Sequence, residues 1–166
     1  MRIIGLDPGL RHLGWGVIEK RDSKLVHIAN GVCKSSGDDL ATRLSSLFSQ
    51  LVDVFSEFSP NEAAVEQVFV NRDGASTLKL GQARAVCLLV PAQAKAAVYE
   101  YAPNTIKKTI VGFGHAEKSQ VQQMLKLQLG KIEFANADAA DAVAIALCHA
   151  HLGAAQKRLA AQLGAA

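Results

Sequence analysis

Four acidic residues lie in segments whose other residues are mostly small or apolar: Asp7, Glu66, Asp138 and Asp141. Asp138 and Asp141 are three residues apart in an alanine-rich run that favours helix, so both carboxylates point from one helix face. Like charges on a face that packs into a core are costly unless a cation neutralises them. A helix start, where acids favour the positive end of the dipole, explains Asp138 well and Asp141 less well. The pair by itself leaves a catalytic and a structural interpretation open.

The four acids converge if the elements that carry them pack together. Asp7 ends the first predicted strand, and Glu66 lies within an apolar fourth strand. If these strands are neighbours and the last helix packs over them, all four carboxylates meet. Carboxylate oxygens suit hard ions such as Mg²⁺ or Mn²⁺, and two such ions about 4 Å apart form a clamp for phosphodiester hydrolysis. The lack of a compelling histidine or cysteine partner in the sequence argues against zinc.

Each acid also has an ordinary explanation when it is considered alone. Asp7 fits a turn residue before Pro8-Gly9, because Pro-Gly is a strong turn signal. Glu66 fits a buried partner of an arginine, and Asp138 fits a helix cap. The joint occurrence of these acids is harder to explain in this way, and it favours the metal site.

The elements that must position these acids are predicted from hydrophobic spacing. The predicted strands are 2–7, 13–19, 24–33, 63–70 and 97–101, and the predicted helices are 38–58, 77–93, 103–111, 117–129 and 137–152. Residues 71–76 are expected to form a loop, and Pro91 is expected to end or kink the second helix. This order predicts an α/β protein whose five-stranded mixed sheet has three antiparallel meander strands, two parallel strands and helices on both faces.

Length and composition favour one globular domain. The chain has 166 residues, of which 49% are hydrophobic and 20% are charged, and its net charge is +3. We expect one domain over residues 1–152, followed by an alanine-rich tail at 153–166 that forms a frayed helix. The three cysteines are scattered, which argues against a disulfide scaffold or a structural zinc site. The N-terminus does not resemble a signal peptide, and the longest apolar run is too short to span a membrane, so we expect a cytoplasmic protein without a membrane partner.

Five motifs occur in order along the chain. They are Gly5-Leu6-Asp7-Pro8-Gly9, Val65-Glu66-Gln67-Val68-Phe69, Leu78-Lys79-Leu80-Gly81-Gln82-Ala83-Arg84, Ala116-Glu117-Lys118-Ser119-Gln120-Val121 and Ala137-Asp138-Ala139-Ala140-Asp141-Ala142. In these motifs the chain closely resembles the RuvC family of bacterial Holliday-junction resolvases, within the ribonuclease H-like superfamily. The resemblance extends to about Leu152, and it departs from the family pattern at Ala85 and Pro91, in the segment expected to shape a dimer.

The resemblance implies a ribonuclease H-like fold and a homodimer that binds a four-way DNA junction and nicks two strands of like polarity symmetrically. It implies that Asp7, Glu66, Asp138 and Asp141 are the catalytic metal ligands, with two Mg²⁺ ions for each site and Mn²⁺ as a substitute. It also implies a partner in a junction branch-migration motor complex.

The resemblance also assigns expected roles to basic and aromatic residues. Lys107 and Lys118 match lysines near the scissile phosphate, where a cation stabilises developing charge. Phe69 is expected to stack on a base in an opened junction, with a core phenylalanine as the alternative. Further basic residues are expected to extend the phosphate-contacting surface: Arg72, Lys79, Arg84, Lys108 and Lys126. Arg84 has the alternative of pairing with an acid inside the dimer, and any lysine has that of an ordinary solvated position.

Three other functions remain to be separated from a junction nuclease. A nuclease of the same fold that processes RNA would share the first and last acids but not Phe69 or the 79–84 motif. An actin-like phosphotransferase also ends its first strand in an Asp-x-Gly turn, but it needs further glycine-rich nucleotide loops and usually a much longer chain. A non-catalytic junction-binding module is disfavoured, since all four acids are present.

Overall fold

In a computed structural model, which describes residues 1–68 and 74–164, the chain forms one mixed sheet with helices on both faces. The strands are β1 (Arg2–Asp7), β2 (His12–Arg21), β3 (Lys24–Lys34), β4 (Glu62–Glu66) and β5 (Ala97–Tyr101). The helices are α1 (Leu40–Phe58), α2 (Gly74–Gln93), α3 (Pro103–Val111), α4 (Lys118–Leu129) and α5 (Ala137–Gly164). The predicted α/β class is confirmed.

The sheet has the strand order β3-β2-β1-β4-β5. The meander strands β1, β2 and β3 pair antiparallel, whereas β1–β4 and β4–β5 pair parallel through helical crossovers. The first and fourth strands are therefore neighbours at the centre of the sheet. Their carboxyl ends lie at the same edge, which is where the first two acids occur.

Two apolar cores lie on opposite faces of the sheet, because successive side chains of a strand point to opposite faces. On one face, Leu47 and Leu51 of α1 and Val86 of α2 pack against Ile4 and Leu6 of β1. The other face packs against α3, α4 and α5, whose buried residues include Ile106, Leu125, Val143 and Leu147. The last helix thus lies directly over the central strands.

Three predicted boundaries differ from the observed ones by more than two residues. Strand β4 ends at Glu66, so residues 67 and 68 are not strand, and residues 69–70 of the predicted strand lie outside the described residues. Helix α2 begins at Gly74, inside the predicted loop. The prediction started this helix too late because the small residues at 74–76 give no periodic apolar signal. Helix α5 continues beyond Leu152 to Gly164.

Helices α2 and α3 end near the proline and glycine residues that the sequence offers as helix ends. Helix α2 ends at Gln93, two residues beyond Pro91, which lies in its last turn. Gly112 ends α3 with a φ of 99°, a left-handed conformation that glycine adopts without steric cost.

All three cysteines are buried and free. Among the described residues, no helix is long and apolar enough to cross a membrane.

Candidate active site

All four predicted acids and both predicted lysines line one cavity of about 330 Å³. The polar lining consists of Asp7, Glu66, Lys107, Lys118, Asp138 and Asp141. Apolar walls are added by α3, α4 and α5 through Pro103, Ile106, Val121, Ala144 and Ile145. The tertiary structure therefore brings together residues that are up to 134 positions apart between Asp7 and Asp141.

The sheet positions the first two acids. The parallel register pairs Leu6 with Val65, so that Asp7 and Glu66 follow at the ends of neighbouring strands. Both side chains point to the sheet face that carries α5, since Ile3 and Ala64 of the same strands belong to the core on that face. The two carboxyl groups are consequently neighbours at the carboxyl edge of the sheet.

Glycines in β1 and β2 let α5 lie directly on the sheet. A Cβ on Gly5 would overlap the carbonyl oxygen of Ala142 and lie 2.5 Å from the amide nitrogen of Ala146. A Cβ on Gly14 would lie 2.5 Å from the carbonyl carbon of Asp138. Because these positions lack a Cβ, the first turns of α5 pack in backbone contact with β1 and β2. Asp138 and Asp141 consequently lie in the same cavity as Asp7.

Crowding of the acids changes their protonation. Burial, together with the charges of Glu66, Asp141 and Asp138, raises the pKa of Asp7 from 3.8 to about 8. Burial also raises the pKa of Glu66, although a hydrogen bond from Asp7 opposes this change. Two adjacent carboxyl groups that cannot both ionise share a proton. At neutral pH the protonated Asp7 therefore donates a hydrogen bond to the Glu66 carboxylate.

Two lysines bring positive charge to the cavity. Lys118 Nζ donates to Asp141 Oδ2 at 2.6 Å, and this hydrogen bond raises the pKa of Lys118. The charges of Lys118 and Lys107 lower the pKa of Glu66 against the effect of its burial. Both ammonium groups are therefore close enough to the acids to stabilise further negative charge placed there.

Two residues that sequence reasoning missed contact Asp138. Asn136 Nδ2 donates to Asp138 Oδ2 at 3.0 Å, and Asn136 Oδ1 accepts from the Ala139 amide at 2.8 Å. Asn136 is thus the N-cap of α5, which removes the interpretation of Asp138 as a helix cap. An asparagine directly before an alanine-rich run was the available signal. His12 Nδ1 lies 3.8 Å from Asp138 Oδ2, and nothing in the sequence pointed to this contact.

The donor set fits a hard divalent cation. The side chains that converge at the sheet edge offer carboxylate oxygens, which Mg²⁺ and Mn²⁺ prefer, and the lining includes no thiol or imidazole. Within residues 1–68 and 74–164, no group of three or more histidine, cysteine, aspartate or glutamate side chains is already arranged to hold a metal ion. The four carboxyl groups instead form hydrogen bonds: Asp141 accepts from Lys118, Asp138 accepts from Asn136, and Asp7 and Glu66 bond to each other.

The other predicted DNA contacts are not part of the cavity. Phe69 and Arg72 lie outside the described residues. Lys79 and Lys108 are exposed but do not line the cavity. Arg84 Nε donates to Glu100 Oε1 of the same chain at 2.9 Å, on the sheet face opposite α5. The roles assigned to these residues by the resemblance stay predictions.

His149 belongs to a buried hydrogen-bonded group rather than to the acidic cavity. Its Nδ1 lies 2.6 Å from Tyr101 Oη, and its Nε2 lies 2.8 Å from Glu62 Oε2. These contacts fasten the middle of α5 to β4 and β5, at a point two turns beyond Asp141.

Comparisons with known proteins agree in sequence and in fold. The chain matches the family model described as "Crossover junction endodeoxyribonuclease RuvC" over residues 3–149. A curated relative of that description from Ruegeria pomeroyi is 64% identical over 156 residues, which is 94% of each chain. Another from Cereibacter sphaeroides is 57% identical over 166 residues, covering 100% of this chain and 99% of the relative. The solved structure of T. thermophilus RuvC in complex with Holliday junction substrate has a TM-score of 0.83 and 34% identity, covering 90% of this chain and 93% of that one.

Proposed function

The chain belongs to the RuvC family of crossover junction endodeoxyribonucleases, and on this premise we propose that it resolves four-way (Holliday) DNA junctions by symmetric paired nicks. Its fold is ribonuclease H-like, and its activity is the hydrolysis of phosphodiester bonds in DNA recombination and repair. The solved relative with a bound Holliday junction supports four-way DNA as the substrate of this chain. The observation that carries the proposed chemistry is the single cavity that joins four acids to two lysines.

We propose that Asp7, Glu66, Asp138 and Asp141 hold two Mg²⁺ ions, with Mn²⁺ as a substitute. Metal dependence is typical of the family. The bound ions would lower the pKa of a water molecule and stabilise the attacking and leaving oxygens of the scissile phosphate. Carboxylates hold such ions in the ionised form, so Asp7 and Glu66 would give up their shared proton to hold them.

The lysines act on the substrate in this proposal. Lys107 and Lys118 line the same cavity as the acids, at the side formed by α3 and α4. Lys118 donates to Asp141 in this structure, and an Asp141 carboxylate that held a metal ion would leave the ammonium group free to contact a phosphate oxygen. A cation held beside the phosphorus stabilises the charge that develops in the transition state. Lys107 is expected to act in the same way from the neighbouring helix.

The proposed assembly is a homodimer that works in the cytoplasm with a junction branch-migration motor complex. An exposed apolar stripe on α2 supports the dimer: Leu78 is 64% exposed and Leu89 is 50% exposed, and residues eleven apart lie on one face of a helix. Two copies of the site, related by a dyad, would account for paired nicks in strands of like polarity.

A panel of DNA substrates tests this function. Mobile and fixed four-way junctions are incubated with the purified chain beside linear duplex and RNA–DNA hybrid, with and without Mg²⁺. We expect paired nicks in the junctions alone, and only with the divalent ion. Preferred cutting of the hybrid would favour the RNA-processing alternative. Tight junction binding without cutting would favour the non-catalytic module.

A further inference from the structure

A second cavity, of about 350 Å³, lies at the ends of β2 and β3 beside the start of α1. Its lining residues are Arg11, His12, Lys34, Ser35, Gly37 and Arg43. Three of the six side chains are cations, and the family resemblance assigned a role to none of them. We call this cavity the arginine–lysine pocket.

Main-chain hydrogen bonds fix the shape of the arginine–lysine pocket. The Ser35 amide donates to the Arg11 carbonyl at 3.1 Å, which joins the entry to β2 with the exit of β3. Arg43 Nε donates to the Gly37 carbonyl at 2.9 Å, which ties α1 to the loop after β3. Gly37 has a φ of +118°, a conformation that side chains rarely adopt. These bonds fix the backbone that carries Arg11 and Ser35, and they hold the Arg43 side chain against the loop after β3.

The positive charge of the pocket is not neutralised within the described residues. Arg11, Lys34 and Arg43 form no salt bridge with any carboxylate in residues 1–68 or 74–164. The nearest acids along the chain are Asp7, Asp38 and Asp39, each four residues from one of the three cations, and Asp7 lines the acidic cavity. Asp39 accepts hydrogen bonds from the Thr42 amide and hydroxyl at 2.9 and 2.6 Å, so that it caps α1. A ligand of the pocket would therefore be an anion.

One side-chain contact links the arginine–lysine pocket to the acidic cavity. His12 lines the pocket, and its Nδ1 is 3.8 Å from Asp138 Oδ2, which lines the acidic cavity. Lys107 and Lys118 come from α3 and α4, whereas the pocket is built from β2, β3 and α1. The carboxylates thus have cations on two sides. Phosphates recur along a DNA strand every ~3.4 Å of helix axis, so a strand over the carboxylates has neighbouring phosphates within reach of both sides.

We propose that the arginine–lysine pocket binds backbone phosphates of the cleaved strand beyond the scissile phosphate. The proposal rests on the proposed junction-cutting function, because that function places the strand over the acids. Arginine and lysine bind phosphate through charge-assisted hydrogen bonds, and such contacts fix the register of DNA without reading its sequence. The pocket would hold the strand in place while the carboxylate site acts on it.

The salt dependence of junction binding tests the proposal. The dissociation constant of a labelled four-way junction is measured without divalent ions at salt concentrations from about 50 to 200 mM. Each lost phosphate contact reduces the slope of log affinity against log salt by ~0.9. For the double variant Arg11→Gln, Lys34→Gln we expect a slope that is smaller by about 1.8 and binding weakened about equally for junctions of different sequence.

The matched control is Lys24→Gln. Lys24 and Lys34 are the two ends of β3, about 33 Å apart at 3.3 Å per residue, and both are exposed. The control should bind with the slope of the unmodified protein. An unchanged slope in the double variant, or an equal change in Lys24→Gln, would overturn the proposal.

Two further variants separate loss of charge from loss of fold. Arg43→Lys keeps the cation and should keep the slope, whereas Arg43→Gln should reduce it. Lys34→Glu leaves intact the main-chain bonds of residue 34 to Gln50, and it should weaken binding more than Lys34→Gln. If the unmodified chain fails to nick junctions, the proposed function fails, while the slopes still decide about the pocket. If it nicks junctions and no slope changes, only the pocket proposal fails.

Discussion

At the residue scale, the proposed chemistry depends on carboxyl groups that are held too close to ionise together. Asp7 and Glu66 end neighbouring strands, and Asp138 and Asp141 approach them from α5. In the metal-free protein the cost of this crowding is reduced by the shared proton and by Lys118. In the proposed function, divalent cations bound at the carboxylates would remove this repulsion.

The stability of the metal-free protein should fall as the pH rises from about 4 to about 8 through the contribution of Asp7. Its pKa is about 8 in the folded protein and 3.8 in the ordinary exposed group. The folded state therefore holds a proton that the unfolded chain has lost, and the free energy of unfolding decreases over that interval. At pH 8 we expect Asp7→Asn to raise the free energy of unfolding by roughly 1–3 kcal/mol.

Urea unfolding at pH 5 and pH 8 measures this effect. Asp22→Asn makes the same chemical change in the exposed turn between β2 and β3 and should leave stability nearly unchanged. Added Mg²⁺ should stabilise the unmodified protein more than Asp7→Asn, since a ligand stabilises only the state that binds it. A loss of stability in Asp7→Asn at pH 8 would contradict the shared-proton interpretation.

Cutting and binding should separate in the acidic variants. Asp7→Asn and Asp141→Asn each remove a proposed metal ligand, and we expect the nicking rate to fall by at least about 100-fold. Junction affinity should change little, because phosphate contacts come mainly from basic groups. Single-turnover nicking and a binding assay measure the two effects. Normal nicking by either variant would show that the proposed ligand set is incorrect.

At the element scale, the position of α5 decides whether the site exists. Its alanine-rich face contacts the glycines of β1 and β2, and His149 fastens its middle to β4 and β5. The helix is therefore held at its start by close backbone contact and two turns later by hydrogen bonds. Because the helix is fixed at both points, Asp138 and Asp141 in its first turns stay in the same cavity as Asp7.

Gly5→Ala should destabilise the fold strongly. Its Cβ would overlap the backbone of α5 at Ala142, and backbone atoms cannot move aside as the end of a flexible side chain can. We expect a loss of at least about 3 kcal/mol in the free energy of unfolding. Gly81→Ala, where a Cβ meets nothing within 4 Å in the middle of α2, should instead stabilise the chain by roughly 0.5–1 kcal/mol. Chemical denaturation compares the two variants.

Asn136 should act as a positioning residue for Asp138. Asn136→Ala removes both the cap and the hydrogen bond to Asp138, with an expected cost of about 1 kcal/mol in stability and a drop of roughly tenfold in the nicking rate. Asn136→Ser keeps a capping oxygen without the amide donor, so stability should be largely retained while the rate remains low. A full rate in Asn136→Ser would limit the residue to capping.

At the scale of the whole molecule, the two faces of the sheet have different tasks. The face that carries α3, α4 and α5 holds the acidic cavity, and the face that carries α1 and α2 leaves an apolar stripe on α2 exposed. Separate faces allow one copy to bind DNA and a second copy at the same time.

Leu89→Glu should weaken the proposed homodimer. A charge in the middle of an apolar contact is left desolvated without a partner, which is costly. We expect sedimentation to show monomers at concentrations where the unmodified chain is dimeric. Leu127→Glu is the control, because Leu127 is 71% exposed on α4, away from the stripe. Equal dissociation by both variants, or by neither, would place the contact elsewhere.

The sequence by itself determined the element order and the α/β class, and it singled out the four acids that line the cavity. The reason is that hydrophobic period and turn residues are local signals, and acids within apolar runs conflict visibly with their surroundings. The cap of α5 was missed although Asn136 directly precedes the alanine-rich run, because Asp138 offered a second capping candidate; the bonds of Asn136 to Ala139 and Asp138 identify the cap. The start of α2 at Gly74 was missed because its first residues carry no apolar pattern.

Only the tertiary structure decided which of these groups meet. Strand order made β1 and β4 neighbours, and glycine contacts brought α5 onto them, so Asp7 acquired its raised pKa from residues distant in sequence. The same long-range packing placed His12 beside Asp138 and gathered Arg11, Lys34 and Arg43 into one pocket. Local patterns carry no information about such contacts, because they depend on the relative placement of whole elements.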